Sequence, residues 1–193
     1  MKALIDKIRD EGETIGTQIV KVDGFVNHQI DVKLMMEMGL EFRARFGDEK
    51  VDKILTVEAS GIAIACLTAV AFDYPRVVFA KKMVPSTMVD GFYESEAKSF
   101  TKGTVSMLRV SKKFLAPNDC VLIVDDFLAH GEAALAMADI VNQAGATIIG
   151  FGIVIEKAFQ GGGEKLRQAG YRVESLAVID KIQDGAIFFK SEQ

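Results

Sequence analysis

Val121-Leu122-Ile123-Val124-Asp125-Asp126-Phe127-Leu128-Ala129-His130-Gly131-Glu132-Ala133 is the stretch on which the reading of this chain turns. Four apolar residues end in two adjacent acids, and a small loop with one glycine leads into a helical pattern from about Glu132 to Ala144, closed by Gly145. An uninterrupted apolar run predicts a strand covered on both faces, because a strand with one wet face would alternate. Main-chain N–H groups at the start of a helix are unpaired and sit at the positive end of its dipole, which suits a phosphate. The two carboxylates suit paired sugar hydroxyls or a bound Mg²⁺. A phosphate cradle beside two acids points to a phosphorylated sugar. The same pattern also fits a plain βα turn whose acids cap the helix, and spacing alone leaves both readings open.

Outward from this stretch, Lys53 to Val57 reads as a short buried strand, followed by a Ser60-Gly61 turn and an Ala-rich helix to about Phe72. Arg76 to Ala80 gives a second strand, Cys120 to Val124 the third, and Thr147 to Ile155 a fourth. Ahead of them Leu34, Met38, Phe42 and Phe46 recur at spacing four, an amphipathic helix with Gly47 as its stop. Apolar strands alternating with helices predict an α/β fold, a parallel sheet flanked by helices. Two segments stand outside that alternation. Lys82 to Lys113 is polar, with a hairpin turn expected at Lys102-Gly103 and Thr104 to Val110 as its second strand, and is read as a lid over about 83–110. Tyr171 to Ile182 and Ala186 to Phe189 flank Asp184-Gly185, a hairpin signal. A single domain, 1–193, is expected, with a core of about 34–157. The chain ends, about 1–31 and 158–193, are expected to form a hood over the carboxyl edge of the sheet, where ligands of such sheets bind.

Composition narrows the function. The 23 basic and 27 acidic side chains give a net charge of −4, so no cationic excess is available to neutralise nucleic-acid phosphates. With 49% hydrophobic and 26% charged residues the chain is not a disordered one. The longest nearly uncharged stretch, Ala59 to Phe72, falls short of the roughly 20 residues of a membrane span. MKALIDKIRDEGE at the N-terminus is charged every few residues and lacks the apolar stretch of a signal peptide. Cys66 and Cys120 sit in apolar runs without a CxxC spacing and are expected to be small buried hydrophobes. These features together lead to the expectation of a cytoplasmic protein.

The Val121–Ala133 segment resembles the 5-phosphoribosyl-1-pyrophosphate (PRPP) motif of the type I phosphoribosyltransferases: four apolar residues, two acids, two apolar residues and a small loop. Val20-Lys21-Val22-Asp23-Gly24-Phe25-Val26-Asn27-His28-Gln29-Ile30-Asp31, Glu58-Ala59-Ser60-Gly61-Ile62-Ala63, Gly152-Ile153-Val154-Ile155-Glu156-Lys157 and Gly170-Tyr171-Arg172-Val173-Glu174-Ser175-Leu176-Ala177 extend the resemblance over essentially the whole chain. Asn27-His28-Gln29 places it among the purine members that act on xanthine. The resemblance implies transfer of the phosphoribosyl group of PRPP to N9 of xanthine in purine salvage, giving xanthosine 5′-monophosphate (XMP) and pyrophosphate, with Mg²⁺ held mainly through the substrate and a homodimeric assembly. A hypoxanthine/guanine phosphoribosyltransferase is the nearer alternative. A PRPP-sensing regulator is the other; it would need an added DNA-binding domain or a basic face, whereas this chain is net acidic and its catalytic-type pattern begins almost at once.

By the same resemblance, Asp125 and Asp126 are the catalytic acids and Ala129, His130, Gly131, Glu132 and Ala133 hold the 5′-phosphate. Where the wider family often has hydroxyl side chains, this loop has His130-Gly131 and Ala133, which leaves phosphate recognition to main-chain amides. Glu58, Ala59, Ser60 and Gly61 form the pyrophosphate loop, while Ser60 also fits as the N-cap of the next helix. Val20, Asn27 and Lys157 are the implied xanthine ligands. An ammonium at Lys157 can donate to an exocyclic oxygen and is mismatched against an amino group; the amide of Asn27 can both donate and accept. Phe127 fits either beside the base or in the core. Two isolated histidines, His28 and His130, make no metal site, and no nucleophile triad is present, so neither a resident metal ligand set nor covalent catalysis is expected.

Overall fold

A computed structural model describes residues 1–83, 91–99 and 104–190. The chain opens with helix α1 (Lys2–Glu11) and a two-stranded ribbon, β1 (Glu13–Ile15) with β2 (Ile19–Lys21), then a widened helical turn over Asp23–Asn27. Helix α2 (Val32–Phe46) begins where the Asp31 carboxylate accepts the Leu34 N–H at 3.0 Å, and it buries Leu34, Met38, Phe42 and Phe46, the stripe read at spacing four. Strand β3 (Lys53–Val57), helix α3 (Gly61–Ala71) and strand β4 (Arg76–Ala80) follow, then the hairpin β5 (Phe92–Ser99) and β6 (Thr104–Ser111). Strand β7 (Cys120–Leu128), helix α4 (Glu132–Gln143), strand β8 (Thr147–Lys157), the short helix α5 (Gly162–Gln168) and strands β9 (Val173–Gln183) and β10 (Ala186–Phe189) complete the chain.

Six strands form one sheet in the order β10-β9-β8-β7-β3-β4, parallel except for β10. β7 lies inside it, and Val121 to Val124 are fully buried, so the continuous apolar run is that of a strand covered on both faces. Helix α4 covers one face, and α2 and α3 cover the other. The α/β architecture expected from the sequence is therefore the one observed.

Three local outcomes differ from expectation. β7 carries on through Asp125 and Asp126 to Leu128, because pairing with β8 continues through Phe127↔Ile155 and Leu128↔Glu156. The acids therefore lie within the strand instead of ending it. The C-terminal segment, expected in the hood, contributes β9 to the main sheet. Its Leu176, Ala177 and Ile179 are buried, and an apolar strand of that kind is stabilised by pairing with β8. Over the carboxyl edge stands the N-terminal ribbon, whose Thr14 Oγ1 donates to the Gly185 carbonyl at 3.2 Å. The stem of the β5–β6 hairpin is anchored: Lys81 bridges to Arg109, Leu108 and Val110 are buried, and Gln143 Nε2 of α4 donates to the Glu94 carbonyl at 2.8 Å. The expected turn at Lys102-Gly103 and most of the Met83–Lys102 segment lie outside the described residues.

Candidate active site

Parallel strands deliver their carboxyl ends to one edge of a sheet. Here β3, β7 and β8 bring Glu58–Gly61, Asp125–Ala133 and Lys157 to the same place. Two adjoining cavities open there. One, of about 370 Å³, lies between the ribbon, the loop after β7 and the strap after β8. The other, of about 240 Å³, lies between the Glu58–Gly61 loop and the hairpin stem. Asp125, Glu132 and Ala133 line both.

Asp125 and Asp126 are each about 8% exposed. Burial, and then the neighbouring Asp126 charge, push the Asp125 carboxyl well above the usual carboxylate range, against the pull of the Asp126 N–H that it accepts at 3.1 Å. A position lining both cavities is thus held by an acid that a cationic ligand would ionise. Beside it the Glu58–Ala59 peptide is cis, and Glu58 Oε1 accepts the Lys82 N–H at 2.8 Å. A Cβ at position 61 would stand 2.0 Å from Thr56 Oγ1 and 3.3 Å from Asp125 Oδ1, so only glycine brings this loop so close to the acid. Ser60 makes no side-chain capping bond to α3.

The loop after β7 is supported from behind. Gly131 stands at φ +88° at the head of α4, a conformation open to glycine. Gly162 N–H donates to the Ala129 carbonyl at 3.0 Å, and a Cβ on Gly162 would come within 2.4 Å of that carbonyl and 2.6 Å of Gly131 N. His130 Nδ1 faces the Gln160 carbonyl at 3.1 Å, and Lys165 Nζ donates to the His130 carbonyl at 3.0 Å. Helix α5, which carries these contacts, is fixed to the sheet by Arg167. Its guanidinium meets both oxygens of buried Glu156 at 2.9 and 2.8 Å, and Ser175 Oγ adds a third bond at 2.5 Å. Burial raises the Glu156 carboxyl, but Arg167 and Ser175 more than offset it, so Glu156 lies below the ordinary range.

Across the larger cavity, Lys157 faces inward while its neighbour Glu156 pairs on the other side of β8, as strand alternation requires. Lys157 Nζ donates to the Gln18 carbonyl at 3.1 Å and lies 5.6 Å from the centre of the Phe127 ring. Burial lowers its ammonium below the usual lysine range. Phe127 lines this cavity and Leu128 follows it. Val20, in strand β2 of the ribbon, is buried against the core, Asn27 is exposed at the end of the widened turn, and neither lines the cavity. The ribbon contributes Gln18 and Ile19 instead. Sequence reasoning missed Gln18, Ile19 and Gln160, which carry no periodic signal. It also passed over Gly161-Gly162-Gly163, a triplet ahead of a helix that could have marked a close backbone contact.

Asp125 and Asp126 are adjacent on β7, and no group of three His, Cys, Asp or Glu able to hold a metal ion occurs among the described residues. A carboxylate pair alone fits Mg²⁺ carried in mainly by a substrate's phosphates.

Comparison with known proteins shows the family. A family model described as a phosphoribosyl transferase domain matches residues 38–183. Xanthine phosphoribosyltransferase 1 of Clostridium perfringens is 54% identical over 190 residues, 98% of this chain and all of that protein. Xanthine phosphoribosyltransferase of Oceanobacillus iheyensis is 48% identical over 192 residues, covering 100% of this chain and 98% of its own. Among solved structures, an adenine phosphoribosyltransferase from Giardia lamblia with 9-deazaadenine bound superposes with a TM-score of 0.75 at 20% identity. The match covers 91% of this chain and 96% of that one, a likeness of fold.

Proposed function

The chain belongs to the phosphoribosyl transferase family, and we propose that it moves the 5-phosphoribosyl group of PRPP to N9 of xanthine, releasing pyrophosphate and forming XMP in purine salvage. The observation that carries this reading is the joining of two cavities at Asp125, with a helix N-terminus and a partly buried lysine in one and the Glu58–Gly61 loop in the other.

Cleaving the C1′–O bond leaves positive charge on the ribose and negative charge on the departing pyrophosphate. Asp125 and Asp126 hold the ribose hydroxyls and stabilise the cationic ring, at a position where burial makes each charge count. The main-chain amides of Ala129 to Ala133 bind the 5′-phosphate, which explains why His130 and Ala133 serve where hydroxyls are common. The amides of Glu58 to Gly61 face the pyrophosphate. Mg²⁺, when bound with PRPP, neutralises charge on that leaving group. Lys157 donates to an oxo group of the base and favours the anion of xanthine, which is acidic for a purine, so no separate base is required. Val20, in the ribbon over the site, and Asn27, in the turn that follows it, belong to this proposal as xanthine ligands.

Assembly as a homodimer is part of the same reading. Strand β4 is an open sheet edge, and Phe79 and Phe114 lie exposed along an outer groove with Lys81, a surface that a second copy would cover. Light scattering at micromolar concentration checks this; a fully active monomer would remove it. A cytoplasmic location is part of the same proposal. The deciding assay for the reaction is steady-state nucleotide formation with xanthine, guanine and hypoxanthine side by side. Xanthine is expected to give the highest kcat/KM, and preference for hypoxanthine would favour the nearer alternative.

A further inference from the structure

Gln160, the third residue after β8, touches both halves of the larger cavity. Its main-chain carbonyl faces His130 of the phosphate loop at 3.1 Å. Its side-chain Nε2 donates to Gln18 Oε1 on the ribbon at 3.0 Å. The remaining polar atom, Oε1, is buried and has no hydrogen-bond partner.

A buried acceptor without a partner carries its full desolvation cost. Gln160 lines the cavity, so a group able to satisfy that oxygen arrives there with a ligand. Asp125 and Glu132 stand on the other side of the cavity, toward the loop after β7, and beside Lys157 the remaining groups leave a specific need unmet. Lys157 is a donor only, and Phe127 and Ile19 are apolar. Gln18 already receives Lys157 Nζ on its main-chain carbonyl and Gln160 Nε2 on its side chain. An oxopurine presents ring N–H donors next to its oxo acceptors. A lysine can serve only the oxo groups, and a ring N–H requires an acceptor.

We infer that Gln160 is a base-reading residue, whose Oε1 accepts a ring N–H of the oxopurine while Lys157 donates to an oxo oxygen. The inference rests on the cavity being the purine site, as proposed above. It supplies a second check on the base. Adenine in its usual tautomer has no N–H on its six-membered ring and turns an amino group toward Lys157, so it fails at both contacts.

The test compares the full-length wild type with Gln160→Met, Gln160→Glu and Gln18→Met, measuring KM for xanthine, KM for PRPP and the thermal midpoint of each. Gln160→Met keeps the length of the side chain and removes its acceptor; it is expected to raise KM for xanthine about tenfold while KM for PRPP stays within about twofold. Gln160→Glu retains an acceptor, to which the Gln18 amide can turn its N–H, and is expected to recover most of the loss. Gln18→Met removes the strut between ribbon and strap but leaves Gln160 Oε1 in place, and is expected to raise KM for xanthine less than Gln160→Met does. Equal effects of Gln18→Met and Gln160→Met would reduce Gln160 to a strut and overturn the inference. So would a Glu variant worse than the Met variant, or a loss that falls on PRPP through His130. A wild type that makes no nucleotide from any oxopurine would instead remove the purine-site reading itself, a failure visible before any variant is made.

Discussion

The two sides of the larger cavity are built from different material. On the side proposed for the phosphate, the cavity presents main chain, held from behind by Gly162 against Ala129 and Gly131 and by the Arg167–Glu156 pair. On the side proposed for the base it presents the ends of long side chains, Lys157 and Gln160, each tied by one bond to Gln18 across a cleft. A site made of main chain tolerates changes in its own side chains, which is how His130 and Ala133 can stand where hydroxyls are common. It does not tolerate changes in what backs it. A site made of side-chain ends behaves the opposite way, retuned by one substitution without disturbing the fold.

The largest expected effect lies where the two sides meet. Asp125→Asn with Asp126→Asn leaves both ligand sites standing and removes the charge between them, so kcat should fall by about a thousandfold or more. Near-native kcat in a folded double variant would show that the acids do not stabilise the ribose cation. Next comes Gly162→Ala, whose added methyl would press on the Ala129 carbonyl. KM for PRPP should rise about ten- to a hundredfold, with KM for xanthine little changed, a loss of roughly 1.4–2.7 kcal/mol. A matching rise for both substrates would mean that the phosphate loop is not separately supported. Lys157→Ala should do the reverse, weakening xanthine by about tenfold and leaving PRPP alone. If PRPP suffers instead, Lys157 belongs to the phosphate side.

The smallest effect is on stability. The Asp125 carboxyl is raised in the folded protein, by burial first and Asp126 second, so the native state binds its proton more tightly than the unfolded chain does. That contribution is fully present below the ordinary carboxylate range and is lost as pH rises through the raised value. Asp125→Asn alone should therefore melt slightly higher than wild type near neutrality, and the gap should close as pH falls into the ordinary carboxylate range. A gap that widens on acidification would contradict the sign of the shift.

The same division explains what could be read from the sequence. The parallel sheet was legible because Val121 to Val124, Ile54 to Val57 and Ile148 to Ile155 are apolar runs separated by helical patterns, and burial on both faces leaves that mark in composition. The pairing of β9 with β8 was not. Asp184-Gly185 announces a hairpin, but a local signal does not say what lies beside it. At the site, Asp125, Asp126 and the loop to Ala133 are contiguous and could be read as one motif. Gln18 and Gln160 are polar residues 142 positions apart, and nothing in either neighbourhood points to the other. The Arg167–Glu156 pair left only a faint sign, a single carboxylate in an otherwise apolar strand.

That separation has a bearing on how the protein is made. Gln18 leaves the ribosome early, and the two side chains that hold it, Lys157 and Gln160, are synthesised 139 and 142 residues later. At about 5–20 residues per second the ribbon waits on the order of ten seconds for its partners, while β3, α3 and β4 can already associate behind it. The acids of β7 and the loop to Ala133 emerge before that wait ends, but Gly162 and Arg167, which back that loop, follow Gln160, so neither side of the cavity is finished until the strap after β8 is made. A chain stalled before β8 is complete is thereby left without a finished site, and transfer to a purine becomes possible only near the end of synthesis.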